Sequence, residues 1–280
     1  MRVFITGAGG QVGHELVAAF SDHEVIAVTR TMLDVGDRDA VLAAVAATDV
    51  DVIVHAAAWT AVDACESDRN RAHRDNTEAT WHIAEAARAT GARVVYFSTD
   101  YVFDGEKRDP YVETDQPNPQ TVYGRSKLRG ELALDPTDTI VRISWVCGRH
   151  GHNMVKTILR LAAEHDTLRF VDDQRGHPTF AADAARIAER LVSDRRAGTF
   201  HVTNQGAVSW FEFAQEVMRA AGLDSSRVQP IATTDLDPPR PAPRPKNSVL
   251  ENAALRTAGI PLLPDFREPL ARLVHELLAS

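Results

Sequence analysis

Sulfur is scarce in this chain: 280 residues contain two cysteines, Cys65 and Cys147. A disulfide framework or a thiolate metal cluster needs more than that, and a reducing cytoplasm suits what is there. Long apolar runs are absent as well. Nothing approaches the roughly 18 to 20 residues of a membrane span, and the first apolar stretch, Val3–Phe4–Ile5, stops short of Gly7, too brief for the core of a secretion signal. Positive charge is in deficit, with 31 Lys and Arg against 39 Asp and Glu and a formal charge of −8. Nucleic acid and anionic membrane both recruit excess Lys and Arg, so neither is expected as a partner. The eleven histidines are scattered and no carboxylate-rich ligand set accompanies them, so no metal site is expected. There is no repeat of solenoid period.

What is present is an ordinary globular balance, 44% hydrophobic and 25% charged, in a chain long enough for about two domains. Short β-rich runs alternate with alanine-rich helical stretches. Arg2–Thr6, Glu24–Thr29, Val52–His55, Arg93–Ser98 and Thr139–Ile143 read as strands. Gln11–Phe20, Arg38–Ala47, Asn70–Thr90 and Tyr123–Leu134 read as the helices between them, the third closed by Gly91. Crossovers of this length require parallel strands, so the expected fold is α/β, a Rossmann-like doubly wound parallel sheet. Past Cys147 the pattern loosens. Helices are expected at Asn153–Glu164, at Ser209–Ala221 behind a Ser209/Glu212 capping box, and at Glu268–Leu278. Residues 1–147, with part of 177–204, form the expected cofactor domain, and most of 148–280 a smaller α/β substrate domain.

Gly7, Gly10 and Gly13 follow the first strand and open the first helix. Glycines at this spacing permit a tight turn, a close approach of pyrophosphate to backbone, and close helix–sheet packing. Gln11 and Val12 lie between them at the helix start, whose free N–H groups suit phosphate. The second strand ends in Thr29–Arg30–Thr31 where an acidic residue would read a ribose 2′-hydroxyl. Arg30 suits a 2′-phosphate, which favours NADPH with NADH as a second choice, or it is an exposed surface arginine. Asp34 and Val35 would lie near the adenine, unless Asp34 serves only as a turn or cap. Ala57, Ala58, Trp59 and Thr60 follow the third strand, where small residues leave room for a flat ligand.

Tyr123 and Lys127 are spaced i, i+4, on one face of a helix. A neighbouring ammonium is expected to lower the phenol's pKa and make it a proton donor to a substrate oxygen. Thr99 closes the fourth strand at the sheet's carboxyl edge, where its hydroxyl can hold the same oxygen. Five prolines within residues 238–245 exclude regular helix there. That stretch is either a linker or a rigid pocket wall offering Arg240 and Arg244 to an anion.

Together the glycine loop, Thr99 and Tyr123-x-x-x-Lys127 resemble the extended short-chain dehydrogenase/reductase family, and within it the reductases of nucleotide-linked 4-keto deoxysugars. The resembling segments include Gly10–Gln11–Val12–Gly13, Ala57–Asp63, Ser98–Thr99–Asp100–Tyr101–Val102–Phe103, Val122–Gly124, Ser144–Val146, Asp173–Gln174, Pro178–Thr179 and Arg244–Ser248. The resemblance implies reduction of a keto sugar by NADPH or NADH. It makes Thr99, Tyr123 and Lys127 the active site and sets Trp145 against the sugar, although a tryptophan after a strand is equally core packing. Asp100, Tyr101 and Arg244 are further candidates for the substrate side. Some family members dimerise around magnesium held by glutamates. Glu15 matches one of these and the C-terminal ones are not evident, so a monomer or homodimer without required metal is expected. A dehydratase of this superfamily carries Asp-Glu after the threonine, whereas Thr99 precedes Asp100–Tyr101. A reductase of a different sugar, or a nucleotide-sensing regulator on the same fold, remains as a rival reading.

Overall fold

Val3 and Ile5 of β1 (Arg2–Thr6) turn to one face of the central sheet and Phe4 to the other, as the two-residue period of a strand requires. The same division recurs in β3 (Val52–His55) and β4 (Arg93–Thr99). Val52, Val54, Val95 and Phe97 join Val3 and Ile5, while Ile53, Val94 and Tyr96 join Phe4. Both faces are therefore apolar and both are covered by helices, the condition for a buried parallel sheet. Truncating Phe4 to alanine, which opens a cavity in one of these layers, would cost roughly 3–5 kcal/mol.

The computed structural model describes residues 1–279. Its first half runs through β1, α1 (Gln11–Ala19), β2 (Glu24–Val28), α2 (Arg38–Ala46), β3, α3 (Val62–Ser67), α4 (Arg69–Ala72), α5 (Ala79–Thr90), β4, α6 (Val122–Glu131) and β5 (Thr139–Ile143). Its second half holds β6 (Val146–Cys147), α7 (Met154–Glu164), β7 (Leu168–Val171), β8 (Arg175–Gly176), β9 (Thr179–Phe180), α8 (Ala181–Ser193), β10 (Gly198–His201) and β11 (Val208–Ser209). It closes with α9 (Trp210–Ala220), β12 (Val228–Ile231), α10 (Ala253–Thr257) and α11 (Arg267–Leu278).

The six-stranded sheet has the order β10-β5-β4-β3-β1-β2, and every pairing in it is parallel. The strand order reverses between β1 and β3, where Thr6 stands opposite His55. That switch point is where open α/β sheets leave a crevice at the carboxyl ends of their strands. α1 and α8 cover one face through Leu16, Phe20, Ala184, Ala188 and Leu191, and α2 and α5 cover the other through Val41, Val45, Ile83 and Ala87. A separate apolar layer unites α7, α9 and α11 through Ile158, Phe213, Val217, Phe266 and Leu270. Gly91 ends α5 with φ +77°, in the left-handed cap expected of it.

One long helix expected over 70–90 is instead α4, a π-helical turn over His73–Glu78, and α5. The widened turn buries Asp75, Asn76 and Thr77, which a regular helix would distribute around its circumference. Such turns gather at sites of function.

Candidate active site

Two cavities meet at the switch point. The first, of about 400 Å³, is lined by Gly7, Arg30, Asp34, Val35, Ala57 and Trp59 among others. The second, of about 480 Å³, takes Gln11, Val12, Gly13, Thr60, Thr99, Asp100, Tyr101, Tyr123, Lys127, Trp145 and Arg244. Gly10 and Ala58 line both. Every site residue expected from the sequence thus borders one or both of these adjoining cavities.

Glycine is required at the two ends of the loop. Gly7 has φ +72°, and a Cβ on it would lie 2.7 Å from the Ala57 nitrogen. A Cβ on Gly13 would lie 2.0 Å from the Gly7 carbonyl oxygen. No side chain caps α1, so its first N–H groups remain available to an anion. This cradle fits the diphosphate of a dinucleotide.

α6 carries Tyr123 and Lys127 on its buried side. Its start is fixed by Thr121, whose hydroxyl accepts from the Gly124 N–H at 2.9 Å, and by Glu66, which accepts from the Val122 N–H at 2.7 Å. A Cβ on Gly124 would lie 2.1 Å from the Tyr101 carbonyl oxygen. Glycine between the tyrosine and the lysine therefore lets α6 press against the turn after Thr99. The Thr99 hydroxyl donates to Asp100 at 3.0 Å and accepts from the Tyr101 N–H at 3.2 Å.

The electrostatics depart from the sequence expectation. Burial pushes the Tyr123 phenol well above its ordinary range, a hydrogen bond with Thr99 only partly opposing it. Burial also pushes Lys127 down to about 7, with Glu131 pulling the other way. The expected lowering of the Tyr123 pKa by Lys127 is not found, because desolvation disfavours the charged form of both groups. Lys127 instead places its nitrogen 4.0 Å from the centre of the Tyr96 ring. Tyr123 is consequently a protonated phenol at neutral pH, the state a proton donor needs. Asp100, 2% exposed, is pushed up to about 6 by burial, with Ser248 and Thr99 pulling the other way.

Residues 1–279 match the family model described as the RmlD substrate binding domain. The chain belongs to the RmlD family. It is 40% identical over 300 residues to a dTDP-4-dehydrorhamnose reductase of Burkholderia thailandensis, with the whole of both proteins covered. A crystal structure of a dTDP-4-dehydrorhamnose reductase from Clostridium acetobutylicum matches with a TM-score of 0.95 and 39% identity over all of both chains. The dTDP-4-dehydrorhamnose reductase of Bacillus anthracis, solved in complex with NADP, matches with a TM-score of 0.93 and 36% identity over 98% of this chain and 99% of that one.

In this RmlD-family chain Arg30 is exposed but not isolated. Its guanidinium lies 3.4 Å from Asp75, which also accepts from Arg71 at 3.3 Å and Arg74 at 2.6 Å. Asp34 accepts from the Gly36 N–H at 3.0 Å and pairs with Arg74. Its carboxyl is held below the usual range by those two partners, against the opposing and largest effect of burial. Arg244 reaches the second cavity with its fork already engaged, donating to the two Asp63 oxygens at 2.9 and 2.6 Å. The proline-rich stretch is thus pinned to α3 rather than left as a free linker, and Arg240 lines the same cavity.

Other supports have no signal in the periodicity. Asn76, on the π-helical turn, accepts from the Trp59 N–H at 2.7 Å and donates to the Trp59 carbonyl at 3.1 Å and to Ser126 at 2.9 Å. It ties the Ala57–Thr60 loop to α6. Glu131, one turn beyond Lys127, receives two hydrogen bonds from Arg142 at 2.9 and 2.7 Å and another from Ser98. Gln11 donates to the Val146 carbonyl at 3.1 Å and accepts from Asn153 at 2.8 Å, so its amide is spent on linking α1 to the segment after β5.

Proposed function

We propose that this RmlD-family chain is an oxidoreductase that uses NADPH to reduce the 4-keto group of dTDP-4-dehydro-L-rhamnose, giving dTDP-L-rhamnose. The observation that carries the reading is the convergence of Thr99, Tyr123 and Lys127 in a cavity that shares Gly10 and Ala58 with the glycine-loop cleft. Residues 1–147, with part of 177–204, serve the cofactor, and the remainder serves the sugar nucleotide.

When bound, the dinucleotide supplies a hydride. The glycine loop and the uncapped start of α1 hold its diphosphate, Arg30 with Thr29 and Thr31 receives the 2′-phosphate, and Asp34 and Val35 flank the adenine end. Tyr123 donates its phenolic proton to the sugar's keto oxygen as negative charge develops there. Thr99 holds that oxygen in line. Lys127, with a pKa near neutrality, binds ribose hydroxyls and helps return a proton to Tyr123. Asp100, Tyr101 and Trp145 border the sugar, and Arg244 with Arg240 supplies the positive field for its diphosphate.

No helix among the described residues is long and apolar enough to cross a membrane, and the net charge of −8 suits a small-molecule partner better than nucleic acid. We place the work in the cytoplasm, by a monomer or homodimer. The test is oxidation of NADPH by the purified protein with dTDP-4-dehydro-L-rhamnose, followed by loss of nicotinamide absorbance and by chromatography of the sugar nucleotide. Folded protein that binds NADPH but leaves the keto sugar unreduced overturns the reading.

A further inference from the structure

Trp145 and Trp210 face each other with ring centroids 3.6 Å apart and planes within 9°, and both line the second cavity. Trp145 has φ +45°, a backbone conformation that bulky L side chains rarely adopt. Such a conformation persists only where its surroundings over-determine it, and it concentrates at sites of function. Three local features hold it here. Gly176 admits the indole against its backbone, where a Cβ would lie 2.6 Å from Trp145 Cε2. The antiparallel pairing of β8 with β11, Gly176 with Val208 and Arg175 with Ser209, brings the next residue, Trp210, onto the same ring. Ser209 and Glu212 form a complete capping box, so Trp210 opens α9 with its backbone fixed.

We propose that Trp210 is a positioning residue for the sugar nucleotide: stacked on Trp145, it holds that indole in its left-handed seat as a flat wall of the substrate cavity. The inference rests on the reductase reading above and extends it to a residue outside the catalytic set. The apolar layer beneath is closed by Phe213 and Phe266, each 0% exposed, whereas both indoles remain partly open. An indole face offers a large rigid surface to the apolar side of a sugar or to the plane of a pyrimidine.

Two substitutions separate positioning from filling. Trp210→Phe keeps a planar face, and Trp210→Leu keeps apolar bulk without one. Trp210→Leu is expected to raise the KM for dTDP-4-dehydro-L-rhamnose roughly tenfold with kcat within about threefold and NADPH affinity unchanged, while Trp210→Phe stays within about threefold of wild type in KM. The stacked indoles of wild type are also expected to give an exciton couplet in circular dichroism. Either substitution removes it, and dTDP-glucose, used as an unreactive probe, perturbs it. A wild-type KM in Trp210→Leu, equal KM increases in both variants, or a couplet indifferent to dTDP-glucose each overturns the proposal. The couplet of wild type needs neither turnover nor a stable variant. If dTDP-glucose shifts it while the keto sugar goes unreduced, the reductase reading fails and the Trp210 assignment stands.

Discussion

Lys127 lies with its nitrogen 4.0 Å above the centre of the Tyr96 ring, held over an aromatic face inside the protein rather than in water. Burial pushes its pKa down to about 7 from the ordinary 10.5. Between those values the unfolded chain holds a proton that the folded chain lacks, so this group's contribution to stability rises with pH across that window. Lys127→Met abolishes the dependence. In the protein without nucleotide, the melting temperature of wild type should gain on that of Lys127→Met as pH rises from about 7 toward about 10, and the difference should be flat below 7. Thermal melts at stepped pH measure it, and a difference independent of pH would mean that the lysine keeps its proton throughout.

Tyr123→Phe removes one hydroxyl from a buried ring. It should lower kcat by roughly 10²-fold or more, the scale of general acid catalysis, with NADPH affinity and fold intact. Single-turnover reduction of the keto sugar reads the chemical step directly. A variant that reduces the ketone at the wild-type rate removes Tyr123 from the proton-donor role.

Arg30→Ala is a clean substitution structurally, since Asp75 keeps Arg71 and Arg74 as partners. Losing a charge-assisted contact to the 2′-phosphate should cost about 1.5–3 kcal/mol of NADPH binding, a KM increase of roughly tenfold or more, and hardly touch NADH. Parallel titrations of the two cofactors decide it, equal effects on both being the adverse result.

Arg244→Ala leaves Asp63 without its two-pronged partner. It should weaken sugar-nucleotide binding without changing cofactor binding, and lower stability by roughly 1 kcal/mol, because Asp63 remains partly in water. In a double-mutant cycle with Asp63→Asn, the stability loss should be non-additive, while the KM increase should belong to the Arg244 arm alone. An unaltered substrate KM would reduce the proline-rich stretch to a structural brace.

The sheet and its first helices were legible because their signals are local. Short unbroken apolar runs rich in Val and Ile mark β1 and β3, glycines at fixed spacing mark the start of α1, and Gly91 marks the end of α5. Tyr123 and Lys127 were legible for the same reason, four residues apart on one helix. The π-helical turn was not, because no glycine or proline interrupts His73–Glu78 between the alanine-containing segments on either side. What widens the helix is Asn76 reaching Trp59 and Ser126, residues 17 and 50 positions away. The titration of Tyr123 was hidden as well. The sequence places an ammonium nearby, but which effect wins depends on burial of the whole pair, a property of tertiary packing. Trp210 had a legible cap in Ser209, yet its partner Trp145 is brought to it by a two-residue ladder between β8 and β11 that no periodicity announces.

The sixth strand of the main sheet and the helix over α1 come from residues 181–201, after the chain has already departed to build β6 through β9. During synthesis the main sheet therefore cannot close when its first five strands have left the ribosome. Val141 on β5 and Leu16 on α1, both fully buried in the finished protein, stay uncovered until β10 and α8 arrive. A fragment ending at Cys147 would present a bare parallel edge and an open apolar face, the conditions for aggregation. The chain returns to this core once more through Leu255, Ile260 and Leu263, so simple truncation after β5 cannot leave the main sheet complete.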